Sequence, residues 1–170
     1  MQIDHAFLSH ALNAVDAKGR VSVPSSFRGI VDLRIKTYGV AGDEARATEL
    51  MIGLHPDGDR LRAYDAVGVR QLMEEISEGV ADLPARERRE ALNKARRTEL
   101  SSLLPVTYDG AGRMVMPPML RSEAQIGDTA LFLGLGDYFE IWNPDAAKVA
   151  LADDPMLVRM IDYYLAQRSA

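Results

Sequence analysis

The sequence predicts an α+β fold in which two copies of one strand-rich unit pack on each other about a pseudo-twofold axis, with helices between and after them. Three observations carry this expectation. An internal repeat recurs at a constant spacing of 93 residues, apolar and polar residues alternate after a tight turn in each copy, and the remaining segments place apolar residues at helical spacing. The chain has 170 residues, 47% hydrophobic and 26% charged, which fits one domain or two small ones and excludes a disordered tail. A unit of roughly 50 to 60 residues buries too little of its surface alone, so the copies are expected to share a core.

The repeat lays Asp16-Ala17-Lys18-Gly19-Arg20-Val21-Ser22-Val23-Pro24 through Phe27-Arg28 over Asp109-Gly110-Ala111-Gly112-Arg113-Met114-Val115-Met116-Pro117 through Leu120-Arg121. Asp bonds its own backbone and Gly accepts positive φ, so each copy opens on a tight turn. Val21 and Val23, like Met114 and Met116, then alternate with residues of the opposite face, as in a half-buried strand. Pro24 and Pro117 stop that strand and each starts a short helical turn. In the second copy, 129–135 and 138–142 read as two more strands around Gly136-Asp137, and Asn143-Pro144 opens a helix. The first copy has a similar tail, 49–55 and 60–64 around Asp57-Gly58-Asp59, followed by Asp65 as an N-cap. Leu72, Met73, Ile76 and Val80 fall on one helical face, and Pro84 restarts a helix through Ala91, Leu92 and Ala95 toward Leu100. A last helix from Pro155 carries Met156, Met160, Ile161, Tyr164 and Leu165 as an apolar stripe. That stripe has no assigned partner in the two-copy core, so 155–168 is the first candidate for a subunit interface. The units are a first copy at 7–66, a helical linker at 67–103, a second copy at 104–149 and a C-terminal helix at 150–170.

Composition excludes several chemistries. Cysteine is absent, and His5, His10 and His55 are scattered, so thiolate sites, His-based zinc sites and His acid–base catalysis have no support. No window approaches a membrane span and the N-terminus lacks a signal-like pattern, so a cytoplasmic protein is expected, with no catalytic constellation, cofactor or metal site. The net charge is −5, yet its distribution is uneven. Between His10 and Lys36 five cations, Lys18, Arg20, Arg28, Arg34 and Lys36, face two anions, whereas 37–81 holds four arginines against nine carboxylates. A phosphate meets the local patch rather than the average. A second basic run, Arg86 to Arg97, alternates with Glu87, Glu90 and Glu99 and reads as a solvated helix face held by i, i+3 and i, i+4 pairs. Trp142 reads as core, and Asp57-Gly58-Asp59 and Gly134-Leu135-Gly136 read as hairpin turns rather than calcium or dinucleotide loops.

The two motifs Asp16-Ala-Lys-Gly-Arg20 and Asp109-Gly-Ala-Gly-Arg113, with Val-Ser-Val-Pro24 and the strand Phe139-Glu-Ile-Trp142, resemble the MraZ family of bacterial regulators, built of two SpoVT/AbrB-type repeats. The resemblance runs from about Phe7 to Lys148. It implies a swapped-hairpin β-barrel completed within one chain and a ring-shaped homo-oligomer. It also implies a nucleoid-associated transcriptional regulator that binds direct repeats of double-stranded DNA in the promoter of the division and cell-wall gene cluster. By position, Asp16, Asp109 and Arg113 become the repeat motif, structural or a secondary DNA contact, and Arg20 the first DNA contact; the local charge count adds Lys18, Arg28, Arg34 and Lys36 as DNA-binding residues. The first copy is the more basic, since Lys18 stands where the second has Ala111. The alternative is an assembly protein of the same fold with weak DNA affinity, acting through protein partners.

Overall fold

The computed structural model describes residues 2–169. Strand β1 (His10–Ala14), strand β2 (Arg20–Ser22), helix α1 (Ser25–Tyr38), and strands β3 (Glu49–Leu54) and β4 (Leu61–Tyr64) come first. Helices α2 (Ala66–Gly79) and α3 (Ala85–Leu100) follow. Then come β5 (Leu104–Thr107), β6 (Arg113–Val115), helix α4 (Pro118–Glu123), β7 (Thr129–Gly134), β8 (Phe139–Trp142), and helices α5 (Pro144–Ala150) and α6 (Pro155–Ser169). The fold is mixed α+β. Six strands form an open antiparallel sheet in the order β1-β7-β8-β4-β3-β5, and β2 pairs with β6 as a separate ribbon.

The pairings cross between the two halves of the chain. β1 lies against β7 and β5 against β3, while the β3–β4 and β7–β8 hairpins join through β4 and β8. Alternation explains which residues this buries. Val21 and Met114 are 2% exposed on the inner side of the ribbon, and Val23 and Met116 follow them into a core with Phe27, Val31, Leu120, Phe132 and Phe139. Phe7 meets Phe27 and Phe139 edge-on, with ring centroids 5.7 and 5.3 Å apart. Each such fully buried side chain contributes about 1.5–3 kcal/mol through removal from water. Asp65 caps α2, accepting from the Gly68 N–H at 2.6 Å, and Asn143 caps α5, accepting from the Asp145 N–H at 2.9 Å. Trp142 is core, and its indole N–H donates to Glu140 at 2.8 Å.

Four expectations change. Pro24 opens not a short turn but the 14-residue α1, because Phe27, Val31 and Ile35 repeat every four residues and keep one face buried. Its counterpart α4 stops after six residues, ahead of Gln125 at φ 53°. Met73 faces solvent, while Leu72 and Ile76 pack on Tyr64 and on Leu92 and Ala95 of α3. The C-terminal helix has a partner within the chain. Leu157, Met160, Ile161 and Leu165 of α6 cover Leu131, Leu133, Trp142 and Ala147. Leu131 and Leu133 alternate with Ala130 and Phe132 of the main core, so α6 covers the opposite face of β7. Met156 and Tyr164, expected in that stripe, are 66% and 38% exposed. Finally, α3 is solvated, with no buried residue, but the expected ion pairs along it do not form; Glu99 pairs instead with Arg62 of β4.

Candidate nucleic-acid interface

The site starts from two turns of the same construction. In the first, the Asp16 carboxylate accepts from the backbone N–H groups of Lys18 and Arg20, both at 2.9 Å, and its second oxygen accepts from Arg20 Nε at 2.6 Å. In the second, Asp109 accepts from Ala111 N–H at 3.0 Å and Arg113 N–H at 2.9 Å, but Arg113 Nε stands off at 3.6 Å. The bonds from the Arg20 backbone and then its side chain hold the Asp16 carboxyl below the usual carboxylate range; Asp109 is lowered first by the Arg113 backbone N–H. Gly19 at φ 80° and Gly112 at φ 84° supply the left-handed step that closes each turn.

Each turn is buttressed from the other half. The Gly19 carbonyl accepts from Met116 N–H at 3.0 Å, and the Gly112 carbonyl accepts from Val23 N–H at 2.8 Å. Arg121 lies against Gly19 and Arg28 against Gly112, where a Cβ would overlap Arg28 Nε. The turns are thereby fixed to the β2–β6 ribbon, in which Arg20 opposes Val115, Val21 opposes Met114 and Ser22 opposes Arg113. With Val21 and Met114 turned inward, Arg20, Ser22, Arg113 and Val115 share the outer face. The Arg20 and Arg113 side chains are 49% and 60% exposed, and among the described residues the terminal guanidinium nitrogens of both make no hydrogen bond. Asn13 Nδ2 donates to the Ser22 carbonyl at 2.7 Å, tying β1 to the ribbon.

The structure brings some of the expected residues together and separates others. Lys18 is exposed at the tip of the first turn, beside Arg20. Arg28 is half-buried beneath the second turn and donates from Nε to the Val23 carbonyl at 3.2 Å, so it supports the site rather than facing out. Arg34 leaves the expected patch altogether. It is fully buried, with Nε 2.7 Å from Asp65 and further bonds to the His5 and Asp137 carbonyls at 3.1 and 3.2 Å. Its place beside Phe27, Val31 and Ile35 on the inner stripe of α1 is the periodic signal that a charge count overlooks. Lys36, on the last turn of α1, is exposed and paired with Asp32 at 2.6 Å. Ser22 and Val115, between the two arginines, and the crossed support Arg121 are the residues that sequence reasoning missed, while Arg28 was expected as a DNA contact and is instead a support; constant spacing from the repeated glycines was the available signal for both supports.

Chemically the face offers two guanidinium forks and one ammonium to an anionic or acceptor-rich surface. Among the described residues no helix is long and apolar enough to cross a membrane. Residues 105–147, from β5 into α5, match the family model described as "MraZ protein, putative antitoxin-like". Curated relatives named "Transcriptional regulator MraZ" match far more of the chain. The protein of Ruegeria sp. strain TM1040 is 33% identical over 139 residues, covering 82% of this chain and 78% of its own. That of Rhodospirillum rubrum is 33% identical over 157 residues, 88% and 86% of the two chains, and that of Beijerinckia indica subsp. indica is 33% identical over 163, 95% and 88%. The match to the Beijerinckia protein is long enough to take in both turns, the ribbon and the sheet that buttresses them, and on that extent and identity the chain belongs to the MraZ family.

Proposed function

We propose that the chain is a sequence-specific, DNA-binding transcriptional regulator that reads duplex DNA with the outer face of the β2–β6 ribbon. One observation carries the proposal: Arg20 and Arg113, each turned out by an Asp-anchored turn, share one exposed face with their terminal nitrogens free. A two-stranded ribbon fits the major groove, and an arginine fork matches guanine O6 and N7 there. Asp16 orients Arg20 for that contact, Lys18 meets the adjacent phosphate, and Arg28 holds the second turn in place. The first repeat, 7–66, supplies the main contacts because Ala111 replaces Lys18 in the second, 104–149. Lys36, already paired with Asp32, is left outside those contacts.

The crossed pairing of β1 with β7 and β5 with β3 supports reading the sheet and ribbon as a swapped-hairpin barrel completed within one chain. A ring of such subunits meets promoter direct repeats with several weak faces at once, and linked contacts raise the effective concentration of each. The relatives' names support the regulatory role.

Fluorescence anisotropy with the promoter of its own gene cluster and a scrambled duplex, at two salt concentrations, tests this. Wild type is expected to prefer the promoter in a salt-sensitive manner. Arg20→Ala should lose about 1–3 kcal/mol of that preference, and Arg113→Ala less. Equal losses would end the assignment of the main contacts to the first repeat. Equal weak binding to both duplexes, unchanged by Arg20→Ala, would instead favour an assembly protein acting through protein partners, the reading to which the net charge of −5 points.

A further inference from the structure

Free positive charge on this molecule is concentrated away from the ribbon. Arg20, Lys36, Arg46, Arg70 and Lys148 each meet a carboxylate within 3.0 Å. On α3, Arg86, Arg88, Arg89, Lys94, Arg96 and Arg97 are all exposed, and among the described residues none has an ion pair. Arg88 alone has a hydrogen bond, donating to the Leu83 carbonyl at 3.0 Å. Glu87 and Glu90 stand at spacings that would allow pairs and form none, so the helix carries its like-charge repulsion unrelieved.

The placement is ordered. α3 turns Leu92 and Ala95 toward α2. At 3.6 residues per turn, Arg86, Arg89, Asn93, Arg96 and Arg97 fall within about 100° of one another beside that inner face. This stripe is about 16 Å long, the axial length of about five phosphates on one strand of a duplex. Asn93 in its middle is an uncharged hydrogen-bond donor, and Glu87 and Glu90 lie off it or at its margin.

Resting on the DNA-binding reading above, we infer that the Arg86–Arg97 face of α3 is a second DNA surface on each subunit, one that holds the phosphate backbone without reading sequence. The ribbon has only Lys18, Arg20 and Arg113 to offer, and the rest of an acidic chain repels a duplex. The α3 stripe supplies the charge that this arrangement otherwise lacks, and each phosphate it neutralises releases counterions. Charge complementarity selects the occupant: an unpaired cationic stripe against a regular polyanion.

The test is the full-length variant Arg86→Gln/Arg89→Gln/Arg96→Gln/Arg97→Gln, with the matching fourfold Lys variant as a control that keeps the charge. Binding is measured by anisotropy on promoter and scrambled duplexes across a salt series, with sedimentation velocity and thermal unfolding alongside. The Gln variant is expected to bind both duplexes at least about 10-fold more weakly, with a salt slope shallower by about 0.9 for each phosphate it no longer neutralises and promoter preference retained. The Lys variant should restore both. Arg20→Ala should show the converse, with lost preference and a slope shallower by the equivalent of about one phosphate. An unchanged slope in the Gln variant, while wild type binds, would overturn the inference and leave the ribbon reading standing. A Gln variant whose assembly shrinks while its subunits keep their DNA slope would assign the stripe to a second copy of the chain and overturn it equally. Failure of wild type to bind either duplex would end both readings.

Discussion

The two halves of the chain repeat the same turn and the same strand exchange, yet they are braced differently. In the first half α1 runs for 14 residues and delivers Arg34 to Asp65, the cap of α2, in a pair with no solvent exposure. In the second half α4 ends after six residues, and the corresponding cap, Asn143, is tied by a neutral bond from Nδ2 to the Gln125 carbonyl at 2.7 Å. One geometry is thus held by a buried ion pair in one place and by an amide in the other. The buried pair carries the greater consequence when broken, because removing one member of a buried, hydrogen-bonded ion pair is more costly than losing a neutral bond.

The largest expected effect follows from that contrast. Asp65→Asn keeps a competent N-cap through Oδ1 but removes the charge opposite Arg34 and replaces the oxygen that accepts from Arg34 Nε with an amide NH2 that cannot accept, so urea unfolding should register a loss of about 3–5 kcal/mol. Asn143→Ala removes a cap and one neutral bond and should cost about 1 kcal/mol. Similar losses in the two variants would show that the ionic brace is not what separates the halves.

A second comparison is smaller and concerns the turns themselves. Alanine at Gly19 or Gly112 incurs the left-handed strain of about 1–2 kcal/mol in either place. At Gly112 the new Cβ also overlaps Arg28 Nε, whereas at Gly19 the nearest atom is Arg121 Nη1 at 3.3 Å. Thermal unfolding should therefore rank Gly112→Ala as the more destabilised, and Gly112→Ala/Arg28→Ala should recover part of the difference. Equal melting points would mean that Arg28 swings aside at no cost and is no buttress.

These contrasts also mark how far the sequence could be read. The repeat, the turns, the inward Val21 and Met114 and both caps were legible because each rests on local chemistry: Asp and Gly at fixed offsets, period-two alternation, and an Asx residue before a helix. Partner choice was not. Alternation identifies a strand but not its neighbour, so nothing local says that β1 pairs with β7 or that Arg20 and Arg113 share a face. Arg34 was misplaced because a charge count treats every cation as exposed, while its position on the stripe of Phe27, Val31 and Ile35 makes it inward-facing. The pairing expected along α3 failed for a related reason: spacing permits an ion pair, but at a solvated surface such a pair gains little over hydration.

The smallest effect probes how Arg20 and Arg113 differ before any DNA arrives. Asp16 and Asp109 both have folded-state pKa values below the ordinary 3.8, so their contribution to the turns is present above that value and is lost as pH falls through the depressed folded one. Both turns are therefore intact at neutral pH and loosen only in acid below 3.8. For Asp16 the Arg20 guanidinium is the second cause of the shift, after the Arg20 backbone N–H; for Asp109 the more distant Arg113 side chain contributes least. Carboxyl-carbon NMR titrations should accordingly show Asp16 rising toward 3.8 in Arg20→Ala, and Asp109 moving less in Arg113→Ala. That order would mean that Arg20 is pre-oriented by its carboxylate while Arg113 is held mainly by its backbone, which is the physical basis for expecting the first turn to dominate recognition. Equal shifts would place the two arginines under equal restraint and leave Lys18 as the feature that distinguishes the turns.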